Sequence, residues 1–246
     1  MEYINYHSKL ASIELARERG PFPAFKGSIY DGDRPRMPFE AEDEEKRYAM
    51  DWDRVRELVK KYGIRNAATT TIAPTGTISI IAGTTSGIEP VFALSYVRTV
   101  LEGVNMFETN QVFREEMEKR GLWNEEFLRE VTKTGSIQHI PGVSEELKRV
   151  FVTALDLPVE WHVRMQAAFQ EFTDNAVSKT INLRYDATPE DVKKAFMLAW
   201  KLRCKGITVY RYGSKGEQVL YVGVRPPEER RLKVAEEVVE GCPRES

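Results

Sequence analysis

The fold is decided by residues 65–98, which read RNAATTTIAPTGTISIIAGTTSGIEPVFALSYVR. Within this stretch, residues 67–73 carry no charge and are rich in β-branched side chains, which predicts a strand buried on both faces. Pro74 ends the strand, and residues 75–77 supply hydroxyl groups and backbone N–H groups in a flexible turn. Residues 78–82 are expected to form a short helix directly after this turn.

The turn between the strand and the helix has the layout of an anion-binding site. The N–H groups at the start of a helix have no acceptor within the helix, and the local dipole favours negative charge. The stretch contains neither the lysine of a GxxxxGK[ST] loop nor a GxGxxG pattern, so neither of these phosphate loops applies. On these residues alone, an anion site and a plain structural turn are equally good interpretations.

The composition is that of a globular protein with one sizeable core or two small ones, since 41% of the 246 residues are hydrophobic and 30% are charged. With 36 Lys and Arg against 38 Asp and Glu, the chain has no basic excess for a nucleic-acid polymer. No apolar stretch reaches the roughly 20 residues of a membrane span, and the N-terminus lacks the apolar core of a signal peptide. The two cysteines, Cys204 and Cys242, are far apart, which favours a reducing cytoplasm.

Helical and extended patterns alternate along the chain, which favours an α/β fold. Further strands are expected at residues 176–183 and 205–211, each after a helix, as in a parallel sheet or barrel. Helices are predicted over residues 3–19, 51–62, 105–119, 144–154, 158–172 and 188–204. The last of them is expected to begin with Thr188 as its cap and Asp191 three residues later, and Asn124 is expected to cap another. The helix over residues 158–172 is predicted to bury an apolar face of Trp161, Met165, Ala168, Phe169 and Phe172.

Few side chains outside the turn indicate chemistry. Glu89 is a candidate active-site carboxylate because it lies in an otherwise uncharged segment, although a carboxylate that only accepts backbone N–H bonds fits the pattern equally well. Lys179 either reaches a phosphate or extends from an edge strand. Cys204, next to Lys205, is either a favoured thiolate or a packed side chain. The three histidines lie in separate segments, so no metal site is expected.

Four long stretches resemble the C-terminal part of ribonucleotide reductase large chains and are most similar to the class II, adenosylcobalamin-dependent type. They occur in the family's order and read SKLASIELARERGPFPAFKGSIYDG (8–32), NAATTTIAPTGTISIIAGTTSGIEPVFAL (66–94), EWHVRMQAAFQEFTDNAVSKTIN (160–182) and CKGITVYRYGS (204–214). The resemblance implies an α/β fold that forms the C-terminal half of the family's ten-stranded α/β barrel. Residues 1–225 are then a half-barrel fragment of the catalytic domain, and residues 226–246 are a charged, flexible tail.

The resemblance also implies a ligand, because in this family the corresponding turn binds the phosphates of the ribonucleotide substrate. The residues here are Pro74, Thr75, Gly76, Thr77, Ile78 and Ser79. The family removes the ribose 2′-hydroxyl by radical chemistry that needs a thiyl radical, a cysteine pair, and Glu and Asn of a finger loop. The finger-loop pattern Asn-x-Cys-x-Glu is absent from this sequence, so the chain is expected to hold substrate phosphates without carrying the catalytic cysteines.

The chain departs from the family pattern at two places. Arg211-Tyr212-Gly213-Ser214 stands where the family usually has Arg-Asp-Gly-Ser, so a reshaped turn is expected. The C-terminal GCPRES resembles the start of a cysteine-rich reducing tail but contains one cysteine, Cys242, so no dithiol can form within it.

Two functions from different classes follow. The first is a C-terminal fragment of an adenosylcobalamin-dependent ribonucleoside di- or triphosphate reductase that is inactive alone. Because half a barrel leaves strand edges open, such a fragment should dock onto an N-terminal reductase half on another chain or self-associate. The alternative is a non-catalytic nucleotide-binding or regulatory module derived from the reductase. A decayed gene product without a role is disfavoured, since helix caps, strand patterns and the turn remain mutually consistent.

Overall fold

The structure is a computed structural model, and it describes residues 1–33, 35–37, 48–99, 105–214 and 220–221. In chain order the elements are α1 (Glu2–Arg19), α2 (Trp52–Tyr62), α3 (Gly76–Ala82), β1 (Ser95–Thr99), β2 (Asn105–Thr109), α4 (Gln111–Lys119), α5 (Glu125–Thr134), α6 (Glu145–Val150), α7 (Val159–Gln170), β3 (Thr180–Leu183), α8 (Pro189–Lys201), β4 (Thr208–Arg211) and β5 (Leu220–Tyr221). Helices and strands alternate, which confirms the α/β class. The predicted tail at residues 226–246, with Cys242, lies outside the described residues.

Residue contacts divide the chain into two compact units. Unit 1 consists of Met1–Ile88, Val159–Ile181 and Thr188–Val209. Unit 2 consists of Glu89–Pro158, Asn182–Ala187 and the described residues from Tyr210 onward. In the part of the chain that is described, no helix is both long and apolar enough to cross a membrane.

The core of unit 1 lies where α1 packs against α2. Asp51 caps α2 by accepting a hydrogen bond of 3.0 Å from the Arg54 N–H, as expected for an acidic residue at a helix start. The helices predicted at residues 3–19 and 51–62 are therefore confirmed. Aromatic side chains of the loop after α1 complete the buried cluster, whose members are Tyr6, Ile13, Tyr30, Met37, Trp52, Val55, Val59 and Ile64.

The segment before α3 is less regular than its sequence predicts. It forms one parallel bridge, Ile72 with Val177, and Ser178 N–H donates to the Ile72 carbonyl at 2.9 Å. Thr71 and Ala73 are exposed, so the prediction of a strand buried on both faces at residues 67–73 is wrong. The physical reason is that a fully buried strand needs a partner on each edge and a layer on each face, and the described residues supply a partner on one edge only.

The strands predicted at residues 176–183 and 205–211 are confirmed in shortened form as β3 and β4, which pair in a two-stranded sheet. Helix α8, between them, begins with the predicted capping box, in which Thr188 and Asp191 each bond the other's backbone N–H. The chain after β4 turns at Gly213, which has a φ of 81°, and Ser214 N–H donates to the Arg211 carbonyl at 3.1 Å. The segment therefore still forms a tight turn, although Tyr212 stands where the family usually has Asp.

Helix α7 buries a different face from the one predicted. Trp161 and Met165 are 62% and 49% exposed, whereas Gln166 and Gln170 are buried. The reason is hydrogen bonding, because the amide of Gln166 donates to the Gly206 carbonyl at 2.6 Å. The amide of Gln170 satisfies the carbonyls of two residues in the turn after the helix, at 3.0 and 2.8 Å, which a hydrophobic side chain could not do.

Unit 2 has its own core, in which α4, α5 and α6 bury Leu94, Phe113, Met117, Phe127, Val131, Ile137, Val143 and Leu147. The predicted cap at Asn124 is confirmed, since it accepts a bond of 2.9 Å from the Phe127 N–H. The helix predicted over residues 144–154 is confirmed only as far as Val150. Phe151 N–H still bonds back to the Leu147 carbonyl, but Thr153 N–H donates to the Asp156 carboxylate at 2.9 Å and Ala154 N–H to the Val91 carbonyl at 2.8 Å, so the helix does not continue.

The helix predicted over residues 105–119 is wrong in its first third. Residues Asn105–Thr109 form β2, which pairs antiparallel with β1, and β1 also pairs with β5. The helix begins only at α4, because Asn110 caps it by accepting a bond of 3.0 Å from the Phe113 N–H. The helical spacing of Phe113 and Met117 correctly predicts a helix around them, but it does not predict the structure of the residues before the cap.

Candidate anion-binding site

The turn at residues 74–79 is an exposed helix start in unit 1. Ser79 N–H donates to the Thr75 carbonyl at 3.0 Å, which closes the first turn of α3. The N–H groups of Gly76, Thr77 and Ile78 precede that bond and have no acceptor within the helix. Their three residues are exposed, and a Cβ added at Gly76 would meet no atom within 4 Å. This helix start therefore lies at the surface of the described structure.

Thr75 holds an unusual conformation that keeps the helix start uncapped. Its φ of 54° and ψ of 25° place it in the left-handed region, which costs a residue with a Cβ about 1–2 kcal/mol. Its side chain makes no capping bond to the helix and instead accepts a bond of 2.7 Å from the Gly87 N–H. The Thr75 oxygen is thus used to fold the following segment back onto the turn, and it leaves the N–H groups of α3 available.

Gly87 is the residue that makes this fold-back possible. Its φ is 50°, and a Cβ built on it would lie 3.2 Å from the carbonyl oxygen of Ala73. A side chain at this position would meet both backbone strain and crowding against the turn. Sequence reasoning did not single out Gly87, although a glycine in an uncharged segment beside a candidate site is the kind of signal that could have found it.

Ser79 supports the turn from within. It is the buried residue of α3, and its hydroxyl donates to the Gly76 carbonyl at 2.8 Å. In this arrangement its hydrogen is not aimed at a ligand, so its direct contact with a phosphate stays a prediction. Among the predicted residues, the backbone groups of Gly76, Thr77 and Ile78 and the Thr77 hydroxyl are the best placed donors.

A buried charged network holds the segment that leads into the turn. The Lys9 ammonium of α1 lies 2.6 Å from Oδ2 of Asp174, and the exposed fractions of the two side chains are 1% and 14%. The same Oδ2 accepts from the Thr69 N–H at 2.6 Å, the Thr69 hydroxyl at 3.0 Å and the Thr70 N–H at 3.3 Å. Tyr30 closes the network, because Lys9 donates to its hydroxyl at 3.3 Å.

Burial and charge act in opposite directions on the members of this network. Burial works to raise the pKa of Asp174, but the attraction and hydrogen bond of Lys9 and the donors of Thr69 leave that pKa below its ordinary value. Burial lowers the pKa of Lys9, against the pull of Asp174. Burial, with the nearby Asp174 charge, raises the pKa of Tyr30. The lowered pKa of Asp174 favours its carboxylate form, which is the form that accepts the bonds from Lys9 and Thr69.

This network was missed at the level of sequence. Lys9 and Asp174 are 165 positions apart, and a lysine on an amphipathic helix is ordinarily a surface residue. The signal that the sequence offered was spacing, since Lys9 lies three residues after Tyr6 and four before Ile13, and all three fall on one helix face.

The sequence also singles out Glu89, Lys179 and Cys204 as candidate side chains. Glu89 is half-buried and belongs to unit 2, and its role as an active-site carboxylate stays a prediction. Lys179 does not extend into solvent from an edge strand, because it is 3% exposed with Nζ 2.8 Å from Nδ1 of the buried His162, and its contact with a phosphate stays a prediction. Lys179 also donates to the Thr180 carbonyl. Cys204 is half-buried, and burial raises the pKa of its thiol, which disfavours a thiolate at this position.

With this geometry in place, comparison with known proteins identifies the class of fold. The family model described as "Ribonucleotide reductase, barrel domain" matches residues 1–210. The chain belongs to this ribonucleotide reductase barrel family.

Individual relatives agree with the family match. The chain is 46% identical over 235 residues to the vitamin B12-dependent ribonucleoside-diphosphate reductase of Thermoplasma acidophilum, covering 94% of this chain and 27% of that protein. It is 40% identical over 227 residues to the reductase of the same description from Mycobacterium tuberculosis, covering 92% and 28%. The chain thus spans little more than a quarter of the length of these relatives and corresponds to a C-terminal part.

A solved structure supports the fold. The class Id ribonucleotide reductase alpha subunit of Actinobacillus ureae superposes with a TM-score of 0.58 over 85% of this chain and 32% of that chain, at 22% identity. The fold expectation of a partial reductase barrel is confirmed. Within the described ranges, the strands form two separate small sheets, and neither closes into a barrel.

Proposed function

We propose that this chain is the substrate-phosphate-binding part of a ribonucleotide reductase, and that it reduces nucleotides only together with the remainder of such an enzyme. The observation that carries the proposal is the open helix start at Gly76, Thr77 and Ile78, inside the stretch that belongs to the family. The substrate class is a ribonucleoside di- or triphosphate, and the names of the relatives, which are diphosphate reductases, favour the diphosphate.

The missing chemistry is the second part of the proposal. Radical reduction of a ribonucleotide in this family needs a cysteine for the thiyl radical and a cysteine pair as reductant. The sequence contains two cysteines, and Cys204 is half-buried with a raised thiol pKa, which disfavours the reactive thiolate. We therefore assign the catalytic cysteines to reductase sequence outside this chain and treat the isolated chain as inactive.

Adenosylcobalamin is the proposed radical source of the assembled enzyme, because the relatives above are described as vitamin B12-dependent. When bound, it would supply the carbon radical that starts the reaction. Among the described residues, no group of three or more His, Cys, Asp or Glu side chains could hold a free metal ion; the cobalt of adenosylcobalamin is held by its own corrin ring and needs no such group. No step involving the cofactor is assigned to this chain.

The proposed partner is an N-terminal reductase region, on another chain or in an assembly of copies, and the proposed compartment is the cytoplasm. The partner proposal rests on length, because the relatives contain more than twice as much additional sequence as the part matched here. The role would be deoxyribonucleotide synthesis for DNA replication.

The direct test is a titration of the ¹⁵N-labelled chain with adenosine diphosphate and, separately, with pyrophosphate, followed by NMR. The amide resonances of Gly76, Thr77 and Ile78 should shift first and with a common dissociation constant for each ligand. As a matched control, the amides of Gly121 and Gly142, which are also glycines in turns, should not move. Shifts confined to other residues would refute the phosphate assignment.

The alternative function is a non-catalytic nucleotide-binding or regulatory module. It is favoured by the same open turn and by the absence of a cysteine pair suited to reduction among the described residues. Mixing the chain with a separately purified N-terminal reductase region separates the two, because only a reductase part should restore nucleotide reduction.

A further inference from the structure

The uncharged run of the sequence does not become a buried segment in the structure. No charged residue occurs from Asn66 to Ile88, in a protein in which 30% of residues are charged. Such a run normally lies in a protein interior. In this structure most of its residues from Ala73 to Thr85 are exposed instead. The run therefore has the composition of a protein interior but lies at the surface of the chain.

Helix α3 contains the most exposed apolar side chains of this run. Ser79 is its one buried residue, and the other six residues are exposed. Three of them are isoleucines, with exposed fractions of 63% at Ile78, 57% at Ile80 and 82% at Ile81. Single exposed apolar side chains are ordinary, but three on one short uncharged helix form a surface that water solvates poorly.

The exposed face is held in place by bonds at both ends of α3. At the start, Thr75 is tied to Gly87 as described above. At the end, Gly83 adopts the left-handed conformation with its N–H bonded to the Ile80 carbonyl at 3.2 Å, and Thr84 N–H donates to the Ser79 carbonyl at 3.0 Å. The isoleucines therefore point outward because of the local fold of the segment.

We propose that the α3 face, defined by Ile78, Ile80 and Ile81, is the docking surface for the N-terminal reductase region. This inference rests on the proposed function and names the surface through which the partner completes it. A partner seated on this face would lie directly beside the N–H groups of the phosphate turn. That is where a polypeptide carrying the missing cysteines has to be if it is to reach the same substrate.

The chemistry of the face also selects the occupant. A face of isoleucines, threonines and glycines without charge fits an apolar protein surface, and it offers nothing to a nucleic acid or an acidic peptide. A bound nucleotide would accept hydrogen bonds from the N–H groups of the turn, but it would leave Ile80 and Ile81 exposed. The relatives match this chain over only 27% and 28% of their length, so they contain ample polypeptide to cover the face.

The test compares two lysine substitutions that differ only in location. Ile81→Lys places a charge on the α3 face, whereas the control Val112→Lys places one on α4, where Val112 is 67% exposed beside Arg114 and Glu115. The probe is the part of the Thermoplasma acidophilum reductase that precedes the matched 235 residues, purified separately. Its dissociation constant for each variant is measured by isothermal titration calorimetry.

Ile81→Lys should weaken binding of the probe by about 10-fold or more, because a charge would be desolvated at the centre of an apolar interface, while Val112→Lys stays within about 2-fold. Both variants should keep the melting temperature of the unsubstituted chain, since both side chains are exposed. Equal affinities for the two variants, or no binding of the probe to the unsubstituted chain, would overturn the docking surface.

Sedimentation equilibrium of the chain alone distinguishes a second copy as occupant. A dimer that Ile81→Lys dissociates and Val112→Lys does not would assign the face to self-association and overturn the proposal. Amide exchange measured by mass spectrometry should show protection of residues 76–88 when the probe is added. The nucleotide titration above is independent of the docking test. If that titration fails while docking is lost in Ile81→Lys, the phosphate function falls and the docking surface stands.

Discussion

Removing the Asp174 carboxylate is the perturbation with the largest expected effect on stability. Asp174→Ala leaves the ammonium of Lys9, 1% exposed, with the Tyr30 hydroxyl at 3.3 Å as its remaining partner in the network among the described residues. It also removes the acceptor of the Thr69 and Thr70 N–H groups. Breaking a buried ion pair costs about 3–5 kcal/mol, and leaving buried backbone donors unmatched costs about 1–3 kcal/mol each.

These costs do not add fully. Asp174 is 14% exposed, so water can reach part of the space that the carboxylate vacates. We therefore expect Asp174→Ala to lower the free energy of unfolding by about 4 kcal/mol, a large share of the about 5–15 kcal/mol that a domain of this kind possesses. Because the network joins α1 to the segment before the turn, the loss should be cooperative across unit 1.

The assay is urea unfolding followed by far-ultraviolet circular dichroism, with the slope of the free energy against urea checked for constancy. Glu14→Ala is the matched control, because it breaks an ion pair on the same helix, Arg17 with Glu14 at 2.9 Å, whose side chains are 49% and 62% exposed. That variant should lose less than about 1 kcal/mol. If Asp174→Ala loses no more than Glu14→Ala, the reasoning about the buried pair is refuted.

Three further predictions concern acid stability, the turn and a helix cap. In the folded chain the pKa of Asp174 lies below its ordinary value of 3.8. The ionised carboxylate therefore stabilises the folded state fully above pH 3.8, and this stabilisation is lost as the pH falls through the lowered pKa. Asp174→Asn should make the urea midpoint fall less steeply between about pH 6 and pH 2 than it does in the unsubstituted chain. Gly87→Ala, at a φ of 50° and with a contact of 3.2 Å, should destabilise the chain by about 1 kcal/mol or more and weaken pyrophosphate binding in the NMR titration; unchanged affinity would show that the fold-back is irrelevant to the turn. Thr188→Ala removes the capping box of α8 and should cost about 1 kcal/mol in urea unfolding, whereas a loss near zero would contradict the cap's role.

Local signals in the sequence predicted local structure well. Caps at Asn124 and Thr188 marked true helix starts, because a side chain that bonds the third N–H acts within one turn. The short helix after Pro74 is present as α3. In each case the correct prediction rests on an interaction between residues only a few positions apart.

Sequence patterns could not predict contacts between residues that lie far apart in the chain. The strand at residues 105–109 depends on pairing with β1, and the buried side of α7 depends on carbonyl groups that Gln166 and Gln170 satisfy. Apolar spacing alone assigned that face to Trp161 and Met165, which are exposed. The same limit explains why the backbone turn of the site was predicted, while the Lys9–Asp174 network and Gly87 behind it were not.

The central claim is that this chain holds the substrate phosphates while the chemistry resides elsewhere. It is tested most directly by measuring the reduction of adenosine diphosphate with adenosylcobalamin and dithiothreitol, for the purified chain alone and after addition of the N-terminal reductase region. The account predicts no deoxyadenosine diphosphate from the chain alone and turnover in the mixture. Product from the chain alone, or a mixture that binds nucleotide without reducing it, would contradict the account.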